Sequence, residues 1–230
     1  MILQPPAVFP PGPDACAVCD QRVGTDGRCP NELCHGSRRR IGRIRAIGYQ
    51  TGPLRQAIND YKYRGARHWS VIFGRMLLAW LDETAAADPP DLIVANPSLV
   101  GPGGQLFAHT EEVLDAAAAA AEAARRTGTG PRWPFDTAAP RAIVKTVPTL
   151  TSADAQAWAK RASAADLRGA LTVPDPARTA GRFIAVYDDV CTTGGQLDAV
   201  AGCLLDRGRA ARVEGVVLAR ALWRGAGARR

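Results

Sequence analysis

Two adjacent carboxylates, Asp188 and Asp189, follow directly on the apolar run FIAVY and precede the turn CTTGGQ, residues 191–196. Side-by-side carboxylates can accept hydrogen bonds from two neighbouring hydroxyls, and a ribose offers a vicinal diol of that kind. The residues that follow carry a complementary chemistry. Thr192 and Thr193 supply hydroxyls, while Gly194 and Gly195 let the backbone approach an anion closely with its N–H groups and the next helix N-terminus pointing at it. Cys191 and Gln196 bracket this loop. A diol on one side and a phosphate on the other describe a ribose 5-phosphate. The plainer alternative, an aspartate capping a turn and glycines permitting a tight connection, explains each residue singly. It does not explain the strict order of apolar strand, acidic pair, glycine loop and amphipathic helix.

A second group with chemical potential stands near the N-terminus. Two residues separate Cys16 from Cys19, nine separate Cys19 from Cys29, and four separate Cys29 from Cys34. Two short knuckles of this kind collect four thiolates around a tetrahedral Zn²⁺ in a segment too short to build its own core. Two disulfides are the rival reading. The start of the chain has neither a basic n-region nor a continuous apolar h-region, so a reducing cytoplasmic setting is expected, which argues against disulfides. His35, beside Cys34, is a possible substitute ligand. Cys191 and Cys203 are read as structural, because no base is identifiable as a partner for Cys191.

These residues need elements to position them. Residues 1–14 are proline-rich, and RRRIGRIR, residues 38–45, places five arginines in eight positions as a basic linker. From Pro53, Leu54, Ala57, Ile58 and Tyr61 recur at helical spacing until Gly65. Trp69, Ile72, Phe73, Met76, Leu77, Trp80 and Leu81 then make a stronger apolar stripe, read as core. DLIVANP reads as a short buried strand, residues 111–126 as an alanine-rich helix, RAIVKTV as a strand and residues 152–165 as a helix. The clearest part is the last: GRFIAVY as a strand, residues 195–207 as a helix and RVEGVVLARAL as a strand. Strand, loop, helix, strand is a βαβ unit, so the expectation is an α/β domain with an open, mainly parallel sheet over residues 46–230. Residues 1–45 form a small zinc-binding segment in front of it. In such sheets ligands sit at the carboxyl ends of strands, where Asp188 and Asp189 stand.

Bulk properties agree with a globular chain. The 230 residues are 47% hydrophobic, enough for a sizeable core, and no stretch reads as a membrane span. The net charge of +7 is carried almost wholly by arginine, which suits phosphate recognition and permits a polyanionic partner without requiring one.

The segment from residue 183 to 196 resembles the signature of type I phosphoribosyltransferases, an apolar run, Asp-Asp, and a Thr-Thr-Gly loop. The resemblance implies that 5-phosphoribosyl-1-pyrophosphate (PRPP) or a nucleotide monophosphate binds with Mg²⁺. Asp188 and Asp189 would hold the ribose hydroxyls and act as the catalytic pair, while residues 191–196 would wrap the 5-phosphate. Together with the cysteine segment, the chain is similar to the ComF family, whose members are linked to DNA uptake. Lys62, Tyr63 and Gly65 match that family's Lys-aromatic-x-Gly helix end. The chain departs from the pattern at Gln196, where Thr or Ser is usual. Gln105, Ala108 and His109 stand where Arg, Asn and Gln are expected, and Asp166 stands in an Asn place. Gln156 and Arg161 remain. Two functions follow: a Mg²⁺-dependent phosphoribosyltransferase, or a non-catalytic accessory protein that keeps the phosphate loop and binds DNA or a DNA-uptake partner.

Overall fold

The computed structural model describes residues 14–102, 104–128, 130, 133–149 and 166–222. Six strands and four long helices organise them. They are β1 (Ile44–Tyr49), α1 (Gly52–Arg64), α2 (Trp69–Thr84), β2 (Leu92–Ala95), α3 (His109–Arg126), β3 (Val144–Lys145), β4 (Leu171–Thr172), β5 (Phe183–Cys191), α4 (Gly195–Asp206) and β6 (Arg212–Arg220). Four strands form one all-parallel sheet in the order β1-β6-β5-β2, which bears out the expected α/β architecture.

Parallel strands covered on both faces read as continuous apolar runs, and LIVA of β2 is buried throughout. Alternate residues of β5 serve opposite faces. Ala185 and Tyr187 join Ile58, Phe73, Leu77 and Leu114 in the layer made by α1, α2 and α3. Ile184 and Val186 join Leu197, Val200 and Leu204 of α4 on the other side. The stripe on α2 is therefore core, as its spacing predicts. Gly65 closes α1 in the left-handed conformation at φ 70°.

That second layer has an unexpected component. Cys16, Cys19 and Cys29 pack into it with Ile41 and Ile44, so the cysteine segment covers one face of the sheet. Hydrogen bonds fasten it there: Ile44 N donates to Val18 O at 2.7 Å, and Ala46 N donates to the Asp20 carboxylate Oδ2 at 2.9 Å.

Three readings need correction. β1 begins at Ile44, inside the arginine-rich run read as linker, and pairs with β6 from Ile44 opposite Gly215. Its alternation is masked because arginine and glycine interrupt the apolar residues. Residues 141–147 do not form a strand of the main sheet. Only Val144 and Lys145 pair, antiparallel, with Leu171 and Thr172. The Asp136 carboxylate accepts the Ala142 N–H at 2.7 Å, so that backbone donor is satisfied by a side chain instead of a strand ladder. Finally, β5 runs on through Cys191, so the acidic pair lies within the strand, near its carboxyl end, instead of after it. The helix expected over residues 152–165 and the proline-rich residues 1–13 lie outside the described residues, although residues 166–170 are helical.

Candidate functional site

The carboxyl end of β5 is asymmetric. On one side β6 stays paired as far as Cys191 opposite Arg220, whereas β2 ends with Ala95 opposite Tyr187. Beyond Tyr187 that flank of β5 opens into a cavity of about 710 Å³ lined by Asp188, Asp189 and residues 190–197. Lys62, Asn96, Ser98, His109 and Lys145 contribute the facing walls. The structure thus brings every candidate of the acidic pair and the glycine loop to one cavity.

Asp188 and Asp189 are 5% and 4% exposed, and what surrounds them differs. Asp188 Oδ1 accepts the Asp189 N–H at 2.9 Å, and Asp189 Oδ1 accepts the Val190 N–H at 2.6 Å. Asp189 Oδ2 lies 2.8 Å from Lys62 Nζ and 2.9 Å from His109 Nε2. The first contact is an ion pair, and the His109 ring is the second close neighbour of the same oxygen. α1 delivers Lys62 from its last turn, and α3 begins with His109. Tyr61 OH donates to His109 O at 2.7 Å and its ring stands edge-on to Phe107, which fixes where α3 starts.

Charge separates the two carboxyls. Burial and the neighbouring Asp189 charge push Asp188 up to about 7, against the smaller opposing pull of Lys62 and Asn96. For Asp189, burial also resists ionisation, but the Lys62 ammonium and the His109 ring outweigh it and hold the carboxyl well below its usual range. Lys62 shows the reciprocal effect, raised despite burial because Asp189 faces it. Near neutral pH one member is a paired carboxylate and the other is poised to gain or lose a proton.

The glycine loop is built on the cysteine segment. Gly194 has φ 83°, and a Cβ there would stand 2.7 Å from Ile44 Cδ1 and 2.9 Å from Leu33 Cδ2, so both conformation and space demand glycine. Gly195 N donates to Thr193 Oγ1 at 3.4 Å. From below, Asn31 Nδ2 donates to Thr193 O at 2.9 Å. The start of α4 is anchored through Asp198, whose Oδ1 accepts Arg40 N at 2.6 Å and Ile41 N at 3.0 Å.

The four N-terminal cysteines converge. One ligand atom from each of Cys16, Cys19, Cys29 and Cys34 lies within 4.8 Å of the others, with Cys19 and Cys29 sulfurs 3.7 Å apart. Tetrahedral Zn–S bonds of about 2.3 Å separate sulfurs by about 3.8 Å, so the set fits zinc. None of the cysteines is in a disulfide, and His35 Nε2 sits 2.7 Å from Cys29 O instead of joining the sulfurs. Thiols this close cannot all ionise unaided. The Cys34 thiol, helped by the Arg220 guanidinium, holds Cys19 down at about 5, while burial pushes Cys29 up to about 11. A divalent cation is what allows all four to bind as thiolates.

No protein-family model matches this sequence, and no curated protein gives a significant match. The site therefore has to be read from its own geometry. Lys62 and His109 are the residues that sequence reasoning did not assign to it. The only signals were the helix-end motif for Lys62 and an apparent departure from pattern for His109. Gln105 lines the cavity, but its backbone N–H is engaged with Leu99 O at 2.7 Å, and Ala108 precedes α3 as its cap. Among the described residues no arginine lines the cavity, and Gln156 and Arg161 lie outside them. Cys191 and Cys203 are both buried. Burial pushes the Cys191 thiol up to about 12, consistent with a structural residue.

Of the arginine run, Arg39 donates to Ile41 O and Cys34 O, at 2.9 and 3.2 Å, and Arg40 pairs with Asp206. Arg38 and Arg43 remain exposed. No helix among the described residues is long and apolar enough to cross a membrane.

Proposed function

We propose that the cavity at the head of β5 binds a 5-phosphoribosyl compound, PRPP with Mg²⁺ or a nucleotide monophosphate, in the manner the resemblance to ComF-like phosphoribosyltransferases implies. One observation carries this reading: the acidic pair and the glycine loop close two sides of the same cavity of about 710 Å³. Asp188 and Asp189 accept the ribose diol, and the backbone of residues 192–196 with the start of α4 takes the 5-phosphate. Mg²⁺ bound to the pyrophosphate would offset its charge.

Transfer from PRPP breaks the bond between C1 and the pyrophosphate oxygen while a nitrogen nucleophile bonds to C1 and releases a proton. The departing pyrophosphate needs cationic or N–H donors. Among the described residues the lining offers Lys62, already paired with Asp189, His109 on the same oxygen, and Lys145. Burial pulls Lys145 below its ordinary value, which weakens it as a permanent cation. This shortage favours binding with weak or absent transfer over efficient catalysis. It also keeps the accessory reading, in which exposed Arg38 and Arg43 engage DNA or a partner, as the second proposal.

Calorimetric titration of the full chain with PRPP and Mg²⁺, then a pyrophosphate-release screen across common purines and pyrimidines, separates these outcomes. Saturable Mg²⁺-dependent binding is expected, with little pyrophosphate released. No binding of PRPP or of any nucleoside monophosphate would remove the proposal.

A further inference from the structure

Two buried side chains each touch both the cysteine cluster and the glycine loop. Asn31 is 2% exposed. Its Nδ2 donates to Thr193 O at 2.9 Å and lies 3.7 Å from Cys19 Sγ, and its Oδ1 accepts the Leu33 N–H at 3.2 Å. Arg220 is fully buried. One guanidinium nitrogen donates to the sulfur of Cys191, the first residue of the loop, and the other lies 3.5 Å from Cys19 Sγ. A buried arginine with Nε left unpartnered is costly unless a negative charge compensates it. Zinc held by four thiolates carries a net charge of −2, and Cys19 would be one of those thiolates.

We infer that Asn31 and Arg220 are positioning residues that couple metal occupancy of the four-cysteine site to anion binding at residues 191–196. With the metal bound, Cys19 has a fixed place and charge, and both N–H groups are held toward it. The other arm of each side chain then fixes Thr193 O and Cys191 Sγ, the two points from which the loop is suspended. Leu33 adds a third support, because it lies directly under Gly194. Without the metal the four sulfurs are free to separate, and the loop loses its floor. The inference rests on the reading that this loop takes the 5-phosphate, and the ligand it concerns is the phosphate group of a phosphorylated sugar.

Coupling between sites is reciprocal, so it can be read from either end. The full chain, loaded with Co²⁺ in place of zinc, is titrated with ribose 5-phosphate. The sulfur-to-cobalt charge-transfer absorption and amide exchange at residues 192–196 are followed together. In the wild type, ribose 5-phosphate is expected to shift the absorption and to tighten Co²⁺ binding about five- to tenfold. In Asn31→Leu, which retains all four sulfurs, the ligand-induced tightening is expected to fall below about twofold while the four-sulfur spectrum persists. Wild-type protein that binds ribose 5-phosphate with no change in spectrum or metal affinity overturns the coupling.

Failure of the wild type to bind ribose 5-phosphate at all counts against the ligand reading instead. The coupling is then decided by exchange alone, because metal removal must speed exchange at residues 193–196 about tenfold relative to β6. Equal exchange with and without metal overturns it. These wild-type arms stand even if the variant does not fold.

Discussion

Lys62, on the last turn of α1, places its ammonium 2.8 Å from the Asp189 carboxylate at the head of β5. The contact joins a helix end to the strand that carries the acidic pair. Its lysine is partly exposed and its aspartate almost wholly buried. Removing one partner of a buried pair leaves the other uncompensated, at a cost of roughly 3 kcal/mol. Because His109 stays beside Asp189, Lys62→Met is expected to lower the unfolding free energy measured by urea melts by up to that amount. Asp189→Asn in the same background should restore part of it, because the charge that needed a partner has gone. Additive losses in the double variant would show that the pair is not coupled.

Asp189→Asn alone tests the diol. A carboxylate makes charge-assisted hydrogen bonds to hydroxyls that an amide makes less well, so ribose 5-phosphate or PRPP affinity should fall at least about tenfold. Wild-type affinity in this variant would mean that the ribose is not held there.

The two carboxyls respond to pH in opposite directions. Asp188 is raised to about 7, so between about 4, where it titrates in the unfolded chain, and 7 the folded protein holds a proton that the unfolded chain has lost. Its contribution to stability is present at low pH and is lost as pH rises through that window. Asp189 is lowered, so its contribution is present above the unfolded value and is lost on acidification. Thermal melts should accordingly show Asp188→Asn more stable than the wild type at pH 8, by up to roughly 4 kcal/mol, with the difference shrinking toward pH 5. Diol binding should strengthen as pH rises through about 7 in the wild type and lose that dependence in Asp188→Asn. A gap that is constant from pH 5 to 8 would count against the raised carboxyl.

Gly194→Ala adds a methyl group where φ is 83° and where Ile44 and Leu33 already stand within 3 Å of the new atom. The combined strain and overpacking should cost about 2–4 kcal/mol and displace the loop. Denaturant melts and ribose 5-phosphate titration should both report it, with affinity falling more than tenfold. Unchanged affinity would separate the loop from the ligand.

Metal analysis should return one zinc per chain, and Cys29→Ser should abolish stoichiometric binding. Because Cys16, Cys19 and Cys29 belong to the layer that covers one face of the sheet, chelation should lower the melting temperature of the whole protein instead of freeing only its N-terminus. A melt insensitive to chelator in a zinc-bearing sample would contradict this.

Sequence alone determined the features that depend on near neighbours along the chain. The apolar runs of β2, β5 and β6, the stripe on α2, the glycine turn into α4 and the cysteine spacing are local periodicities or local steric demands, and each was legible in the residues themselves. Even here β1 escaped, because Arg45 and Gly48 interrupt its apolar residues and only pairing with β6 makes IRAIGY a strand. What surrounds the acidic pair was decided by the tertiary structure. Lys62 and His109 meet Asp189 because α1 and α3 pack on the same face of the sheet, with α1 ending and α3 beginning above the same strand. Asn31 reaches Thr193 across 162 residues of chain because the cysteine segment lies against the other face. Such contacts follow from the strand order β1-β6-β5-β2, in which the last strand is inserted between the first and the fifth. No spacing along the chain encodes that order. It follows from burying all the apolar faces at once, which is a property of the folded whole and not of any segment.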